Sequence, residues 1–67
     1  MDNKIEYPIW QLQLIKLIVK DETVTEKIKI NEMNCVVNND FGDYYNDGDN
    51  PNQAWESEKE EIRSSGN

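Results

Sequence analysis

Residues 9–19 read IWQLQLIKLIV and decide the predicted fold, because they are the most apolar run of the 67-residue chain. Apolar residues alternate with glutamines from Trp10 to Leu14, and the alternation resumes one residue out of phase from Ile15 to Val19. An apolar period of two is typical of a half-buried strand, and a slip of one residue is typical of a β-bulge. The pattern therefore predicts a strand.

A helix is the alternative for the same run. Pro8 suits the first turn of a helix, and Trp10, Leu14, Leu17 and Ile18 lie at helical spacing. We favour the strand, because the segment that follows alternates in the same way and can pair with it.

The following segment predicts the rest of a β-meander. An Asp-Glu pair at 21–22 suits a turn, and residues 23–30 again alternate between apolar and polar side chains. Residues 33–37 suit a third strand. The expected sheet is antiparallel and has one apolar face, which needs a cover because a small isolated sheet is only marginally stable in water.

The C-terminal segment is predicted to supply that cover as a helix. Asn50 suits an N-cap, Pro51 suits the first turn, and residues 53–63 are rich in helix formers. Trp55 and Ile62 then share one face. The predicted fold class is therefore α+β: a small antiparallel β-meander (two or three strands) covered by one C-terminal helix.

The whole chain, residues 1–67, is expected to form a single small domain. A chain of this length buries only about 60% of its unfolded surface, so a low stability is expected unless a second copy or a partner contributes. Residues 38–50 are predicted to form an acidic aromatic loop, because Asn, Asp and Gly dominate there beside three aromatic residues. Residues 64–67 are predicted to be a disordered tail.

The composition argues against catalysis and against a membrane protein. With no histidine and one cysteine, Cys35, the chain cannot build Cys–His or Ser–His catalytic pairs, and its three glycines are too scattered for a phosphate loop. We therefore expect no enzyme and no cofactor, and an inert thiol at Cys35. The absence of a signal-peptide pattern and of a long apolar run predicts a cytoplasmic protein.

Residues 43–48, DYYNDG, partly match a calcium-binding loop. Oxygen ligands stand at the first and fifth positions and glycine stands at the sixth, as in an EF-hand. Tyr45 occupies the third position and Ala54 the twelfth, where an EF-hand has ligands. The preferred interpretation is a turn-rich loop without a metal, whose side chains bind their own backbone. A weak calcium site of another type stays open as an alternative.

The charge is strongly asymmetric. The chain carries 14 acidic and 7 basic residues, a formal net charge of −7. Residues 1–34 hold five basic against six acidic residues, whereas residues 35–67 hold two against eight. Direct binding to nucleic acid or to an anionic membrane is disfavoured, because both rely on Lys and Arg. A basic protein is the favoured partner.

Carboxylates in the second part of the chain are the candidate contact residues. On a helix, Glu56 and Glu60, or Glu58 and Glu61, place their Cβ atoms about 5–6 Å apart. Such an array can occupy phosphate sites on a nucleic-acid-binding enzyme, with tyrosines as apolar anchors. The predicted partner-binding residues are Asp40, Asp43, Tyr44, Tyr45, Asp47, Asp49, Glu56, Glu58, Glu60 and Glu61.

Small size, strong acidity and an Asn/Lys/Ile-rich composition resemble phage-encoded inhibitors, including anti-CRISPR proteins and other nucleic-acid mimics. The resemblance extends over the whole chain without a shared motif, and it implies a stoichiometric inhibitor in the cytoplasm of a bacterial host. The alternative function is a structural or regulatory adaptor. It would use the apolar face around Trp10, Leu12 and Leu14, or an edge strand, to bind a partner or a second copy as a homodimer.

Overall fold

The computed structural model describes residues 5–65, and the side chains of residues 5–64. Its helices are α1 (Tyr7–Lys20), α2 (Glu26–Val37), α3 (Gly42–Asn46) and α4 (Pro51–Ser65). No strand forms between residues 5 and 65, so the predicted α+β fold with a β-meander is wrong. None of the helices formed by these residues has the length and apolar character needed to cross a membrane.

The run at 9–19 forms helix α1 because its largest side chains repeat every four residues. Trp10, Leu14 and Ile18 are buried on one face of α1. Leu12 belongs to the alternating pattern that predicted a strand, yet 54% of it is exposed on the other side of the helix. The helical spacing, with Pro8 in the first turn, therefore describes this segment and the period of two does not.

The segments predicted as the second and third strands both fall in helix α2. Thr25 caps this helix, because its Oγ1 accepts a hydrogen bond from the backbone N–H of Ile28 at 3.3 Å. Asp21 stabilises the turn before it by accepting from the backbone N–H of Thr23 at 2.8 Å. Local side-chain caps thus override the alternating pattern of residues 23–30.

Helices α1 and α2 are antiparallel neighbours held together at both ends. The Gln11 side chain donates to the backbone carbonyl of Val36 at 2.9 Å, near the end of α2. The Lys29 ammonium donates to the carbonyl of Val19 at 2.9 Å, near the end of α1. These contacts satisfy carbonyl groups that the last turn of a helix leaves without a partner inside the helix.

The C-terminal helix is the predicted element that the structure contains. The Asn50 Oδ1 accepts from the backbone N–H of Gln53 at 2.8 Å, and the Gln53 Oε1 accepts from the backbone N–H of Asn50 at 3.0 Å. This reciprocal pair is a capping box, which fixes the start of α4 at Pro51. The helix continues to Ser65, so the first half of the tail predicted at 64–67 is helical, and residues 66–67 lie outside the described range.

One hydrophobic core lies between α1, α2, the segment before α3, and α4. Helix α1 is central, because it packs against both α2 and α4. The buried apolar residues are Trp10, Leu14, Ile18, Val36, Phe41, Ala54 and Trp55. Each indole N–H has a partner, since Trp10 donates to the carbonyl of Asp49 at 2.9 Å and Trp55 donates to the Asp21 carboxylate at 2.8 Å.

Asp21 also forms the closest ion pair in the described residues. The Lys59 ammonium lies 2.8 Å from Asp21 Oδ2 and both side chains are largely shielded from water. This hydrogen bond, followed by those from Thr23, holds the pKa of Asp21 well below its usual range despite the opposing effect of burial. The pair therefore fixes α4 to the turn that joins α1 to α2.

Candidate functional site

The segment predicted as an acidic aromatic loop, residues 38–50, contains the short helix α3, which packs against α4. Gly48 ends this turn with a φ of +90°, a conformation that favours glycine, and so directs the chain into α4. The loop, α3 and α4 therefore form one continuous segment, in which α3 packs against α4. We call it the acidic side and define it as residues 38–64.

All ten predicted contact residues lie on the acidic side, but they differ in exposure. The exposed ones are Asp40, Asp43, Asp47, Glu56, Glu60 and Glu61. The half-buried ones are Tyr44, Tyr45, Asp49 and Glu58. The structure places Asp43 on α3 and the four glutamates on α4, as expected for the C-terminal helix, while Asp40, Asp47 and Asp49 lie in the non-helical segments on either side of α3.

Tyr44 lies at the contact between α3 and α4, among carboxylates. Its hydroxyl donates to Glu58 Oε1 at 3.3 Å, and its ring lies 5.6 Å from the ring of Phe41. Burial raises the pKa of Tyr44, and the charges of Glu58, Glu61 and Asp49 raise it further. These acidic groups therefore lie close enough to one another to concentrate negative potential at this contact.

Tyr45 belongs to the internal packing. Its hydroxyl donates to the backbone carbonyl of Ile5 at 2.6 Å, and its ring lies 4.8 Å from Tyr7 and 5.5 Å from Trp10, measured between centroids. Tyr44 is half-buried as well. Both predicted aromatic anchors therefore stabilise the fold, and the exposed carboxylates present most of the charged surface.

Two of the exposed glutamates on α4 have basic neighbours. Glu56 lies 3.6 Å from the Lys59 ammonium, and Glu60 lies 3.6 Å from the Arg63 guanidinium. Exposed pairs of this kind contribute about 0–1 kcal/mol, so they do not hold the glutamates in place strongly. A partner can replace them at small cost.

Glu32 is a site residue that the sequence analysis missed. It lies on α2, is only 5% exposed, and its Oε1 accepts no hydrogen bond from the described residues. Burial, together with a hydrogen bond to Glu58 and the charge of that carboxylate, raises the pKa of Glu32 to about 7, whereas a hydrogen bond with Asn31 has the opposite effect. The detectable signal was its position four residues before Val36, on the buried face of α2.

Cys35 lies beside the same carboxylates. Its thiol is half-buried, and burial raises its pKa, with further increases from the charges of Glu32, Asp40 and Glu58. Nucleophilic and metal-binding cysteines react as thiolates, which this environment disfavours. The geometry therefore gives Cys35 no catalytic assistance.

A groove of about 500 Å³ separates α2 from the end of α4. Its lining combines apolar side chains with polar ones and includes the buried Glu32; the residues are Lys27, Ile28, Ile30, Asn31, Glu32, Asn34 and Ile62. Grooves of this size accept ligand groups or side chains of a partner. We call it the α2–α4 groove.

The partial calcium-loop match at 43–48 adopts a helical turn through Asn46. Within residues 5–65 no three Asp, Glu, Cys or His side chains are arranged to hold a metal ion. The structure therefore offers no geometric support for the calcium alternative in its described part.

The comparisons with known proteins found no match that indicates a function for this chain. No family model matches the sequence, and neither a curated protein nor a solved structure is significantly similar to it.

Proposed function

We propose that this protein is a small acidic inhibitor that binds the basic nucleic-acid-binding surface of another protein and excludes the nucleic acid. The observation that supports this most strongly is the separation of charge between the two parts of the chain. Residues 35–67 contain eight acidic and two basic residues, and six of the eight acidic side chains are exposed. Opposite fields of this kind accelerate encounter and select basic partners.

The helical arrangement supports mimicry of a phosphate backbone. Glu56 and Glu60 are four residues apart on α4, and Glu58 and Glu61 are three apart, so that each pair has Cβ atoms about 5–6 Å apart. Asp43 on α3 supplies a further exposed carboxylate outside α4. One strand of duplex DNA has a charge about every 3.4 Å along its axis, and its phosphates lie at distances along the backbone that are comparable to these Cβ separations.

The resemblance to phage-encoded inhibitors suggests a nucleic-acid-binding enzyme of a bacterial host as the partner, including a CRISPR effector. Under this proposal the protein acts in the cytoplasm, without a catalytic step or cofactor, and without binding nucleic acid itself. It works in a one-to-one ratio with its target.

The test is a competition experiment on proteins captured by the immobilised chain. Captured partners should be released by duplex DNA or RNA, and by about 0.5 M salt, because screening shortens the range of charge–charge attraction. If salt leaves the affinity unchanged, or if nucleic acid and this protein bind the partner together, the proposal is wrong.

A matched pair of variants separates the acidic side from total charge. One variant replaces three exposed carboxylates of the acidic side by amides: Asp43→Asn, Asp47→Asn and Glu60→Gln. The control replaces three exposed carboxylates elsewhere: Glu6→Gln, Glu22→Gln and Glu26→Gln. The first should slow association about tenfold and the second should change it much less, because steering depends on charges near the contact. Equal effects would assign binding to net charge alone.

A second candidate function, self-association, is favoured by the apolar surface of α1 and α2. The predicted apolar face does not exist as such, because Trp10 and Leu14 are buried in the core. Leu12 and Val37, however, are 54% and 70% exposed and line one groove of about 350 Å³ between the two helices. We take a second copy of the chain as the occupant of this groove, because a domain this small buries little surface and would be stabilised by the additional burial in a dimer.

Sedimentation or light scattering tests that candidate at micromolar concentration. A Leu12→Lys variant should convert a wild-type dimer to a monomer, because a charge enters an apolar contact. A monomeric wild-type protein would eliminate the candidate.

A further inference from the structure

We infer that the α2–α4 groove is a binding site for one arginine side chain of a basic protein partner, with Glu32 as the residue that receives the guanidinium. The inference rests on the proposed function, since it names the contact through which a basic surface would be held. It depends on two independent observations: a groove with apolar walls, and a buried carboxylate in its lining that has an oxygen without a hydrogen-bond partner.

The walls of the groove match the stem of an arginine side chain. Ile28 and Ile30 come from α2, and Ile62 comes from α4, so both helices contribute apolar surface to the groove. Arginine packs its three methylene groups along such surface and keeps its charged end for a polar partner. A ligand with a short stem or without an apolar segment fits this lining less well.

The carboxylate supplies what the charged end requires. Buried polar atoms are nearly always hydrogen-bonded, so the Oε1 of Glu32 is an exception that calls for an explanation. A guanidinium carries five N–H donors in a planar fork and pairs with carboxylates through charged hydrogen bonds. Because the Oε1 of Glu32 is shielded from water, binding requires the Glu32 side chain to rotate toward the groove, and such rotamer changes are common on binding.

The charges around Glu32 favour a cation. The titratable or charged groups that face it are Glu58 from α4, Asp40 from the segment after α2, and Cys35 on α2 itself. Lys27 also lines the groove and is exposed, so its ammonium opposes a cationic ligand. Removing the charge of Lys27 should therefore strengthen binding, whereas removing the charge of Glu32 should weaken it.

Binding of the guanidinium should release a proton. Burial and the contact with Glu58 together raise the pKa of Glu32 to about 7, so the free protein holds a proton there over part of the neutral range. The guanidinium pairs with the ionised form, and its affinity should therefore rise with pH up to about pH 8 and be weakest near pH 5.

The experiment is an NMR titration of the full chain with the peptide acetyl-Gly-Arg-Gly-amide. The matched control peptide contains citrulline, which has the shape of arginine without its charge. At about pH 8 the arginine peptide should shift the methyl signals of Ile28, Ile30 and Ile62 in a saturable way. The carboxyl signal of Glu32 should shift with the same dependence on peptide concentration. The citrulline peptide should bind about tenfold more weakly, because it lacks the charged hydrogen bonds.

Variants complete the test. Glu32→Gln should weaken arginine-peptide binding about tenfold and remove its pH dependence, whereas Glu26→Gln, an exposed change on the same helix, should alter neither. Lys27→Gln should tighten binding. The inference is overturned by the absence of saturable shifts at the groove, by equal binding of the two peptides, or by undiminished binding to Glu32→Gln.

Failure of this inference can be told apart from failure of the proposed function. If nucleic acid releases captured partners but the arginine peptide does not bind the groove, the acidic side binds by its exposed carboxylates alone. If the peptide binds but no captured partner competes with nucleic acid, the groove recognises arginine on a protein of another class, and the mimicry proposal is wrong.

Discussion

Glu32→Gln should stabilise the protein above neutral pH, and this substitution tests the electrostatics of the acidic side most directly. Glutamine has nearly the size of glutamate and no charge at any pH. Glu32 is 5% exposed beside Glu58, so its ionised form lacks water and faces another carboxylate. The wild-type protein therefore has a buried group that resists ionisation.

The magnitude follows from the two pKa values of Glu32. Its pKa is about 7 in the folded protein, against 4.5 for the unperturbed group. At about 1.4 kcal/mol per pKa unit, the difference corresponds to about 3 kcal/mol. The folded state holds the proton more tightly than the unfolded state, so the free energy of unfolding falls as pH rises from about 5 to about 7 and is level above that.

That loss is large for a chain of this size. Native domains have about 0.05–0.15 kcal/mol of stability per residue, or about 3–10 kcal/mol for 67 residues. At about pH 8, Glu32→Gln should be more stable than the wild type by about 3 kcal/mol, and at about pH 5 the two should differ by less than about 1 kcal/mol. The depressed pKa of Asp21 acts only at lower pH and leaves this window unaffected.

Urea unfolding at a series of pH values measures the effect. Fluorescence follows the buried Trp10 and Trp55, and circular dichroism follows the helices, so agreement between the two signals tests for a two-state transition. Glu26→Gln is the control, because it removes one negative charge from an exposed position of the same helix. If Glu32→Gln is no more stable than this control near pH 8, Glu32 does not resist ionisation as argued.

Three further predictions concern the fold, each measured by urea unfolding. Asp21→Ala should destabilise by about 3 kcal/mol near pH 7, because it leaves an ammonium and an indole N–H without their partner, whereas exposed Glu22→Ala should have little effect. In the wild type, the stability from the low pKa of this carboxylate is present above about pH 4 and is lost as pH falls. Asn50→Ala should cost about 1 kcal/mol by removing the cap of α4, against little for exposed Asn52→Ala. Tyr45→Phe should also cost about 1 kcal/mol, through loss of one hydrogen bond.

The fold was predictable at its C-terminal end and not at its N-terminal end. Asn50 and Pro51 are local signals whose meaning does not depend on the rest of the chain, and they correctly marked the start of α4. In residues 9–19 two periods coexist, and the choice depends on what covers each face. Leu12 fits only the alternating pattern of a strand. Because its side chain is exposed on α1, the alternation of apolar and polar residues did not mark a buried face.

The candidate site was predictable only in its charge. Composition identified the eight carboxylates of residues 35–67, but the roles of Tyr44 and Tyr45 in internal packing depend on contacts with α4 and with the start of α1. The role of Glu32 depends on its burial and on its proximity to Glu58. Its burial follows once α2 is recognised as a helix, but its proximity to Glu58 is a tertiary contact without a local signal.

The Glu32–Glu58 contact connects stability with the proposed binding. A chain with a small core has little stability to spare, yet it keeps a buried carboxylate beside another one, at a cost that an amide would avoid. Natural proteins often retain such locally unfavourable arrangements where function requires them. A bound guanidinium would remove the repulsion, so the arginine peptide should raise the melting temperature more at about pH 8 than at about pH 5, and should not do so in Glu32→Gln. An equal rise at both pH values would mean that the buried carboxylate has no part in binding.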